Sequence, residues 1–186
     1  MSVIMDALLN RNSSPRLQEP GPTAADCELM FRAALRAPDH SRLRPWRYLQ
    51  VSGEARSKLG DLYAKAELAT NPDATEEKLT RLRNQPLRAP LIIVAIAQLT
   101  EHDGVPMQEQ VLSAGCGVHG ILLAAEALGF AGIWRTGPMA TNEQVSRGLG
   151  LADNEQVIGF VYVGSRLGEP KALPELAVND FVSDWS

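Results

Sequence analysis

The feature that most constrains the fold is a long segment, residues 105–128, that is apolar on nearly all sides in its second half. Its length and the spacing of its apolar residues predict a helix, and Gly129 is the expected C-terminal stop. Such a helix must be covered by other elements, because it has no broad polar face to present to water. We therefore expect a central helix inside one layered domain that contains both helices and strands.

The rest of the chain alternates between helical and strand patterns. Helices are expected over residues 3–9, 23–37, 54–69, 75–83 and 141–149, with Thr23 and Thr141 as N-caps. Strands are expected over residues 46–51, 91–97, 131–135 and 157–163, of which the second and the last are continuous apolar runs typical of buried strands. Neither an internal repeat nor a linker composition occurs, so a single domain spanning residues 1–186 is predicted.

Composition excludes several classes of partner. A formal net charge of −4 gives no general attraction to nucleic acid or to anionic membranes. The longest apolar run, residues 90–97, is too short to span a bilayer, and the N-terminus shows no secretory signal. The two cysteines, Cys27 and Cys116, are predicted to be reduced thiols. We expect a cytoplasmic protein without nucleic-acid or membrane partners.

The segment GCGVHG, residues 115–120, matches the G-x-G-x-x-G pattern of dinucleotide-binding loops. That pattern binds a dinucleotide only where a strand precedes it and a helix begins on it. Here the preceding segment is helical in pattern, and no acidic residue ends a following strand. We therefore interpret Gly115, Gly117 and Gly120 as small residues that allow close helix packing. His119 is interpreted as a packing or hydrogen-bonded residue.

Two polar segments can bind a ligand or form ordinary loops. In RNSSPR, residues 11–16, two arginines and two serines offer the charge and the donors that bind a phosphate. In RAPDHSRLRPW, residues 36–46, Arg36 lies at the C-terminal end of a predicted helix, where a cation is favourable. His40 in the same segment can equally be a hydrogen-bonded loop residue. The residues alone leave both interpretations open.

The segment GIWRTG, residues 132–137, ends a predicted strand in a turn. Trp134 and Arg135 place a planar aromatic side chain and a cation beside exposed backbone amides. This combination suits a flat, electron-accepting ring. The alternative is a strand end that carries a buried tryptophan.

The residue types argue against other kinds of site. Three well-separated histidines and two lone cysteines do not form the usual ligand set of a zinc site, so no metal is expected. The sequence has no G-x-S-x-G elbow, no phosphate-binding P-loop and no catalytic cysteine context. The basic run KLTRLRNQPLR, residues 78–88, is interpreted as a solvated helix face.

Taken together, the chain resembles the small, minimal branch of the FMN-dependent nitroreductase family. The segments that carry the resemblance are MDALLNRNS, RAPDHSRLRPW, PLRAPLII, SAGCGVHG, GFAGIWRTG and GFVYVG, in this order. They run from Met5 to about Gly164, so the resemblance covers nearly the whole length. Each segment is a weak signal, but their concurrence is specific.

The resemblance implies an α+β fold, in which a central, mostly antiparallel sheet is flanked by helices. It implies an intertwined homodimer with two FMN sites at its interface, and no catalytic side chain, because the flavin carries the chemistry. The cofactor-binding residues that it implies are Arg11, Asn12 and Ser13 on the phosphate side, Arg36 and His40 from the partner chain, and Trp134, Arg135 and Thr136 along the flavin ring. Residues 124–129 match a stretch associated with the nicotinamide donor.

Two further features bear on this resemblance. The second arginine of the family motif is Asn12 here, which removes a charge near the phosphate or the ring. Arg166 and Lys171 are the candidates to supply a cation instead. Residues 167–186 carry large apolar side chains, including Phe181 and Trp185, and are predicted to form a C-terminal arm that packs on the partner subunit.

The implied function is an oxidoreductase that passes electrons from NAD(P)H through FMN to a flat small-molecule acceptor, such as a nitroaromatic or a quinone. Two alternatives stay open. One is a flavin-binding dimer with little turnover. The other is a divergent family member that catalyses another flavin reaction, such as reductive dehalogenation or flavin breakdown.

Overall fold

The structure, a computed structural model, describes residues 3–186, and residues 1 and 2 of the predicted domain lie outside this range. The helices are α1 (Val3–Asn10), α2 (Ala24–Ala34), α3 (Ala55–Thr70), α4 (Glu76–Asn84), α5 (Met107–Ala127) and α6 (Glu143–Gly148). The strands are β1 (Leu17–Gln18), β2 (Trp46–Ser52), β3 (Leu91–Gln98), β4 (Ala131–Arg135) and β5 (Glu155–Arg166). Short 3₁₀ turns occupy His40–Arg42, Gln85–Arg88, Pro138–Ala140 and Val178–Asp180.

The five strands form one sheet in which every strand pairing is antiparallel. Strand β3 lies between β2 and β5, and its seven buried residues account for the continuous apolar run in the sequence. The other edge of β5 is shared by β4, which pairs with residues 160–164, and by β1, which pairs with residues 165–166. Strands β4 and β1 therefore follow each other along the same edge.

Each face of the sheet has its own hydrophobic core. On one face, alternate residues of β3 such as Ile92 and Val94 pack against α3, α4 and α6, with Tyr63 among the fully buried side chains. On the other face, the intervening residues such as Ile93 pack against α2 and α5. Because both faces of β3 are covered, the predicted α+β fold with helices flanking a mostly antiparallel sheet is confirmed.

Helix α5 is the central helix that the sequence predicted. Gly129, with a φ of +84°, follows its end. A Cβ atom on Gly117 would lie 2.2 Å from the Tyr48 hydroxyl oxygen, and one on Gly120 would lie 3.1 Å from the Ala33 carbonyl oxygen. The GCGVHG segment therefore serves close packing inside a helix, as predicted, and does not open a dinucleotide-binding helix.

Length and composition alone would allow α5 to cross a membrane, and it is the one such helix among residues 3–186. Its buried side chains, including Val118 and Ile121, pack in the core against α2 and the sheet. The side chain of Gln110 is also buried and bonds to the amide and the carbonyl of Thr100. Packing within the domain accounts for these buried positions, whereas Leu112 on the same helix is 61% exposed.

Three predicted boundaries were wrong. Helix α2 ends at Ala34 and not near Ala37, because the amides of Arg36 and Ala37 bond three residues back and tighten the chain into a turn. The N-cap of α6 is Asn142 and not Thr141: the Asn142 side chain accepts from two amides, whereas the Thr141 hydroxyl bonds back to a carbonyl. Strand β5 is longer than the apolar run, because its polar ends also find pairing partners.

Candidate functional site

Two clefts open at the two ends of strand β4, and both contain residues that the sequence singled out. Near the start of β4, Ser13 forms a parallel bridge with Gly132, and the Ser14 amide donates to the Gly132 carbonyl at 3.1 Å. Arg135 ends the strand, and Thr136 follows it. At about 3.3 Å per residue, Gly132 and Thr136 are roughly 13 Å apart. Strand β4 therefore fixes the spacing between the two clefts.

The first cleft, here called the phosphate-side cleft, has a volume of about 390 Å³. Its lining includes the hydroxyl-bearing Ser13, the cations Arg16, Arg166 and Lys171, and one carboxylate, Glu169. Arg166 also lies 3.6 Å from the carboxylate of Glu126 on α5, which offsets part of its charge. The remaining positive charge and the hydroxyl suit a phosphate group.

Asn12, the residue that departs from the family motif, fixes the chain beside this cleft. Its side-chain amide donates to the backbone carbonyl of Lys171, which lies 159 residues further along the chain. The bond ties the start of the C-terminal segment to the loop after α1. Both candidates to supply a cation in place of the missing arginine, Lys171 and Arg166, line this cleft.

Arg11 is half-buried at the end of α1 and is not among the residues that line the phosphate-side cleft. Its amide donates to the Ala7 carbonyl at 3.1 Å and so continues the helical pattern by one residue. Within residues 3–186 its guanidinium group has neither a salt bridge nor a hydrogen bond, so its charge is free to act on a ligand. A role on the phosphate side stays a prediction for this residue.

Trp134 and Arg135 lie on opposite faces of β4. The indole of Trp134 is 38% exposed, and its Nε1 donates to the Ile158 carbonyl at 3.0 Å, so the alternative of a buried tryptophan is wrong. The Arg135 guanidinium lies 5.4 Å from the centre of the Tyr162 ring. Its Nε is buried and has no hydrogen-bond partner among the described residues. Buried donors are seldom left unpaired, so an ordered water or an acceptor from a ligand would complete the bonding of this group.

Thr136 lines the second cleft, here called the turn-side cleft, together with Lys78, Arg81 and Arg88. Lys78 is paired with the carboxylate of Glu67, and their hydrogen bond is the main reason that the pKa of Glu67 is lowered. Arg81 and Arg88 form no salt bridge within residues 3–186. The turn-side cleft therefore also has an excess of positive charge.

Sequence reasoning missed Arg81 and Arg88, because it interpreted residues 78–88 as a solvated helix face. Both side chains are exposed, but they face the same cleft as the GIWRTG turn. A signal was present for one of them: Arg88 belongs to PLRAPLII, one of the segments that carried the family resemblance. Only the packing of α4 beside the end of β4 brings Arg81 to the same place.

Tyr162 is no candidate for a general base beside Arg135. Burial raises the pKa of its phenol to about 12, although the charges of Arg135 and Arg88 act in the opposite direction. The phenol is therefore protonated throughout the physiological pH range. Tyr162 therefore supplies no proton acceptor beside Arg135.

Arg36 and His40 are not brought to either of these clefts within one chain. Arg36 lines a third cleft, here called the arginine cleft, with Asp39, Arg42 and Arg44. The exposed ring of His40 lies 2.9 Å, Nδ1 to Oε2, from Glu109 in the first turn of α5. Residues 124–129, at the end of α5, line none of the three clefts.

The chain is similar to known proteins in both sequence and fold. Residues 10–165 match the Nitroreductase family. The chain is similar to the Escherichia coli (strain K12) protein named "Putative NAD(P)H nitroreductase YdjA", with 37% identity over 161 residues, or 87% of each chain. Its fold is similar to that of the "Nitroreductase-like Family Protein" from Bacillus cereus, with a TM-score of 0.86 and 19% identity over 100% of this chain and 97% of that one.

A second solved structure, described as "Nitroreductase with Bound FMN" from Bacteroides fragilis, has a TM-score of 0.76 and 16% identity over 100% of both chains. The structural matches establish the fold, and the sequence matches extend over most of the chain. The resemblance inferred from the six sequence segments is thereby confirmed. This chain belongs to the nitroreductase family.

Proposed function

We propose that this protein binds FMN and catalyses electron transfer from NAD(P)H to a flat small-molecule acceptor, such as a nitroaromatic or a quinone. The observation that carries the proposal is the pair of cation-lined clefts at the two ends of β4. FMN has a phosphate at one end and a flat ring at the other, and such a pair can bind both. The name of the Escherichia coli relative and the FMN bound to the Bacteroides fragilis neighbour support this assignment.

Arg11, Asn12 and Ser13 act on the phosphate side. Ser13 offers a hydroxyl donor at the cleft, and Arg11 offers a guanidinium group that no other group of the described chain occupies. Asn12 acts indirectly, because it holds Lys171 at the cleft. Hydrogen bonds from charged donors to phosphate oxygens are stronger than neutral ones. Arg11 and Lys171 therefore contribute more to phosphate binding than Ser13 does.

Trp134, Arg135 and Thr136 position the ring. Trp134 offers a partly exposed flat surface, and the buried Nε of Arg135 offers a donor that has no partner among the described residues. When bound, FMN supplies the hydride and electron transfer chemistry. Arg81 and Arg88 favour electron uptake, because their charges offset the negative charge that uptake adds beside the turn-side cleft.

The proposal includes a homodimer with composite sites, which the family resemblance implies. Within one chain Arg36 and His40 lie outside both flavin clefts, and we propose that they act on the FMN of the partner. The C-terminal arm, residues 167–186, extends beyond the last strand, and Phe181 and Trp185 are 72% and 101% exposed. Burial of aromatic side chains away from water is favourable, so we propose that the arm packs on the partner subunit.

The remaining surface supports a cytoplasmic protein. The net charge of −4 does not favour nucleic acid or anionic membrane as a partner. Cys27 and Cys116 are free, which suits a reducing compartment. In residues 3–186, no group of three or more His, Cys, Asp or Glu side chains is placed to hold a metal ion.

The test is the visible spectrum of the purified protein after incubation with FMN and removal of unbound flavin. Retained flavin absorbance should bleach with NADH or NADPH in the absence of oxygen, and return when a nitroaromatic or a quinone is added. Retained FMN that neither donor bleaches would indicate a flavin-binding dimer with little turnover. Chemical loss of the FMN itself would indicate flavin breakdown. Protein that retains no FMN contradicts the proposal.

A further inference from the structure

The arginine cleft has a volume of about 560 Å³ and combines cations with an apolar floor. The cations are Arg36, Arg42 and Arg44, all exposed, and the apolar residues are Leu35, Ala37 and Trp46. The proposed function uses only Arg36 from this set. It assigns no role to the other two arginines.

The three guanidinium groups of this cleft are not neutralised by the chain itself. In the described residues, 3–186, none of them forms a salt bridge or a side-chain hydrogen bond. The one acid that lines the cleft is Asp39, whose Oδ2 accepts from the Arg44 amide at 2.9 Å. Three like charges around one opening repel each other and attract an anion.

The backbone that carries Arg42 and Arg44 is strained. Ser41, Arg42 and Arg44 have φ values of 59°, 57° and 50°, in the left-handed region that residues other than glycine seldom adopt. Asp39 holds this geometry, because its backbone carbonyl accepts from the Arg42 amide at 3.3 Å and its carboxylate from the Arg44 amide. Strain of this kind persists where the surroundings impose it, and it clusters at binding sites.

The combination of forked cations and an apolar floor fits a phosphate monoester of a nucleotide. Guanidinium groups bind phosphate oxygens in pairs and also stack on flat bases. The side chains of Leu35 and Trp46 can contact the sugar or the base while the arginines bind the phosphate. A small inorganic anion would need only the arginines and not the apolar residues, and an apolar ligand would not need the arginines.

We propose that the arginine cleft binds the 2′-phosphate of NADPH, so that the protein prefers NADPH to NADH. This inference rests on the proposed function, since it specifies the electron donor. Arg36 lines the cleft and is also proposed to reach the partner's FMN, so a donor held by Arg42 and Arg44 has its adenosine end beside a flavin site. The phosphate of FMN itself is the other possible source of the same chemistry, but the phosphate-side cleft already provides for it.

The first test of the arginine cleft measures the binding of nucleotides that cannot reduce the flavin. Calorimetric titration of the FMN-loaded protein with adenosine 2′,5′-bisphosphate and with AMP should show at least about tenfold tighter binding of the bisphosphate. In Arg42→Ala/Arg44→Ala the two dissociation constants should become similar. Arg147→Ala is the matched control, because this exposed arginine is paired with Glu143. Equal binding of the two nucleotides by the unmodified protein overturns the proposal.

Two further arms separate the alternatives. NADPH should bleach the flavin with a dissociation constant at least about tenfold lower than that of NADH, and the double variant should lose this ratio. If the double variant instead weakens FMN but not riboflavin, the cleft serves the FMN phosphate and the proposal is overturned. If neither donor bleaches the flavin, the proposed function fails, and the bisphosphate titration still decides the cleft. Arg42→Gln/Arg44→Gln replaces the alanine variant should that one misfold, with the same expected results.

Discussion

Arg44 and Arg47 lie three residues apart, and the chain uses them in different ways. Arg47, on β2, donates from Nε and Nη2 to the two carboxylate oxygens of Glu155, at 2.6 Å each. The Glu155 side chain is 4% exposed, and the hydrogen bonds from Arg47 lower its pKa. Arg44 is exposed on a left-handed backbone and has no side-chain partner among residues 3–186.

This difference between paired and unpaired arginines distinguishes cations that support the fold from cations that surround a cleft. Where a cation supports the fold, as at Arg47 on β2 or Lys78 on α4, it is paired with a carboxylate. Arg42 and Arg44 surround a cleft without partners. Their backbone is strained, and their guanidinium groups form no salt bridge within residues 3–186. We propose that such groups serve a ligand, and Arg11 belongs with them.

The largest effect that tests this division is on stability. Arg47→Leu should lower the free energy of unfolding by about 3 kcal/mol, because it leaves the almost buried carboxylate of Glu155 without its cation and with only the Ala152 amide as a donor. The same substitution three residues earlier, Arg44→Leu, should change it by no more than about 0.5 kcal/mol. Urea unfolding of both variants measures the difference. Equal losses in the two variants would show that the unpaired arginine also supports the fold.

The pH dependence sharpens the same comparison. Because the pKa of Glu155 is lowered in the folded protein, the contribution of the pair is complete above the ordinary pKa of a glutamate. It is lost as the pH falls through the lowered value, because the carboxylate is then protonated in both states. The stability gap between the unmodified protein and Arg47→Leu should therefore narrow in acid. A constant gap down to the acid transition would argue against an ionic pair.

The next largest effect concerns the exposed aromatic residues of the C-terminal arm. If Trp185 packs on the partner, Trp185→Ala should weaken the dimer by about 1.5–3 kcal/mol and reduce FMN retention with it. Its neighbour Asp184 provides the control, since Asp184→Ala removes no aromatic surface. Analytical ultracentrifugation measures the dissociation constant. A dimer that is unchanged by Trp185→Ala means that the arm does not pack on the partner through this residue.

A smaller effect is expected at Arg11. Arg11→Ala should raise the FMN dissociation constant about tenfold, equivalent to about 1.4 kcal/mol, because a charged phosphate contact is lost. Riboflavin lacks the phosphate, so its binding should be similar in both proteins. The paired arginine of α6 again serves as the control, and Arg147→Ala should leave FMN binding unchanged. An equal loss for both ligands would place Arg11 elsewhere than at the phosphate.

Periodicity predicted the central helix, the buried strand β3 and the packing role of Gly117, because these features depend on the pattern of one segment. The cap of α6 was missed because Thr141 and Asn142 are both good caps, and only the backbone decides between them. The bond from Asn12 to the Lys171 carbonyl joins distant parts of the chain, so no local pattern reveals it.

The candidate site was predictable only in part, for the same reason. Motif resemblance selected the Ser13 and Trp134 segments, and the structure places them along one strand. Arg81 was not selected, because its position at the turn-side cleft depends on how α4 packs. Arg42 lies in the RAPDHSRLRPW segment but had no predicted role. The sequence does not show which cations lack a partner in the folded chain.

Subunit mixing tests the central claim most directly, which is that residues of two copies complete one flavin site. An Arg11→Ala subunit is exchanged with an Arg36→Ala/His40→Ala subunit, and FMN binding by the isolated heterodimer is measured. Arg11 of one chain and Arg36 and His40 of the other are assigned to the same site, so one heterodimer site collects all the substitutions and the other has none. The account predicts poor FMN binding by each parent homodimer and about one tight site per heterodimer. Heterodimers that recover no tight site would contradict it.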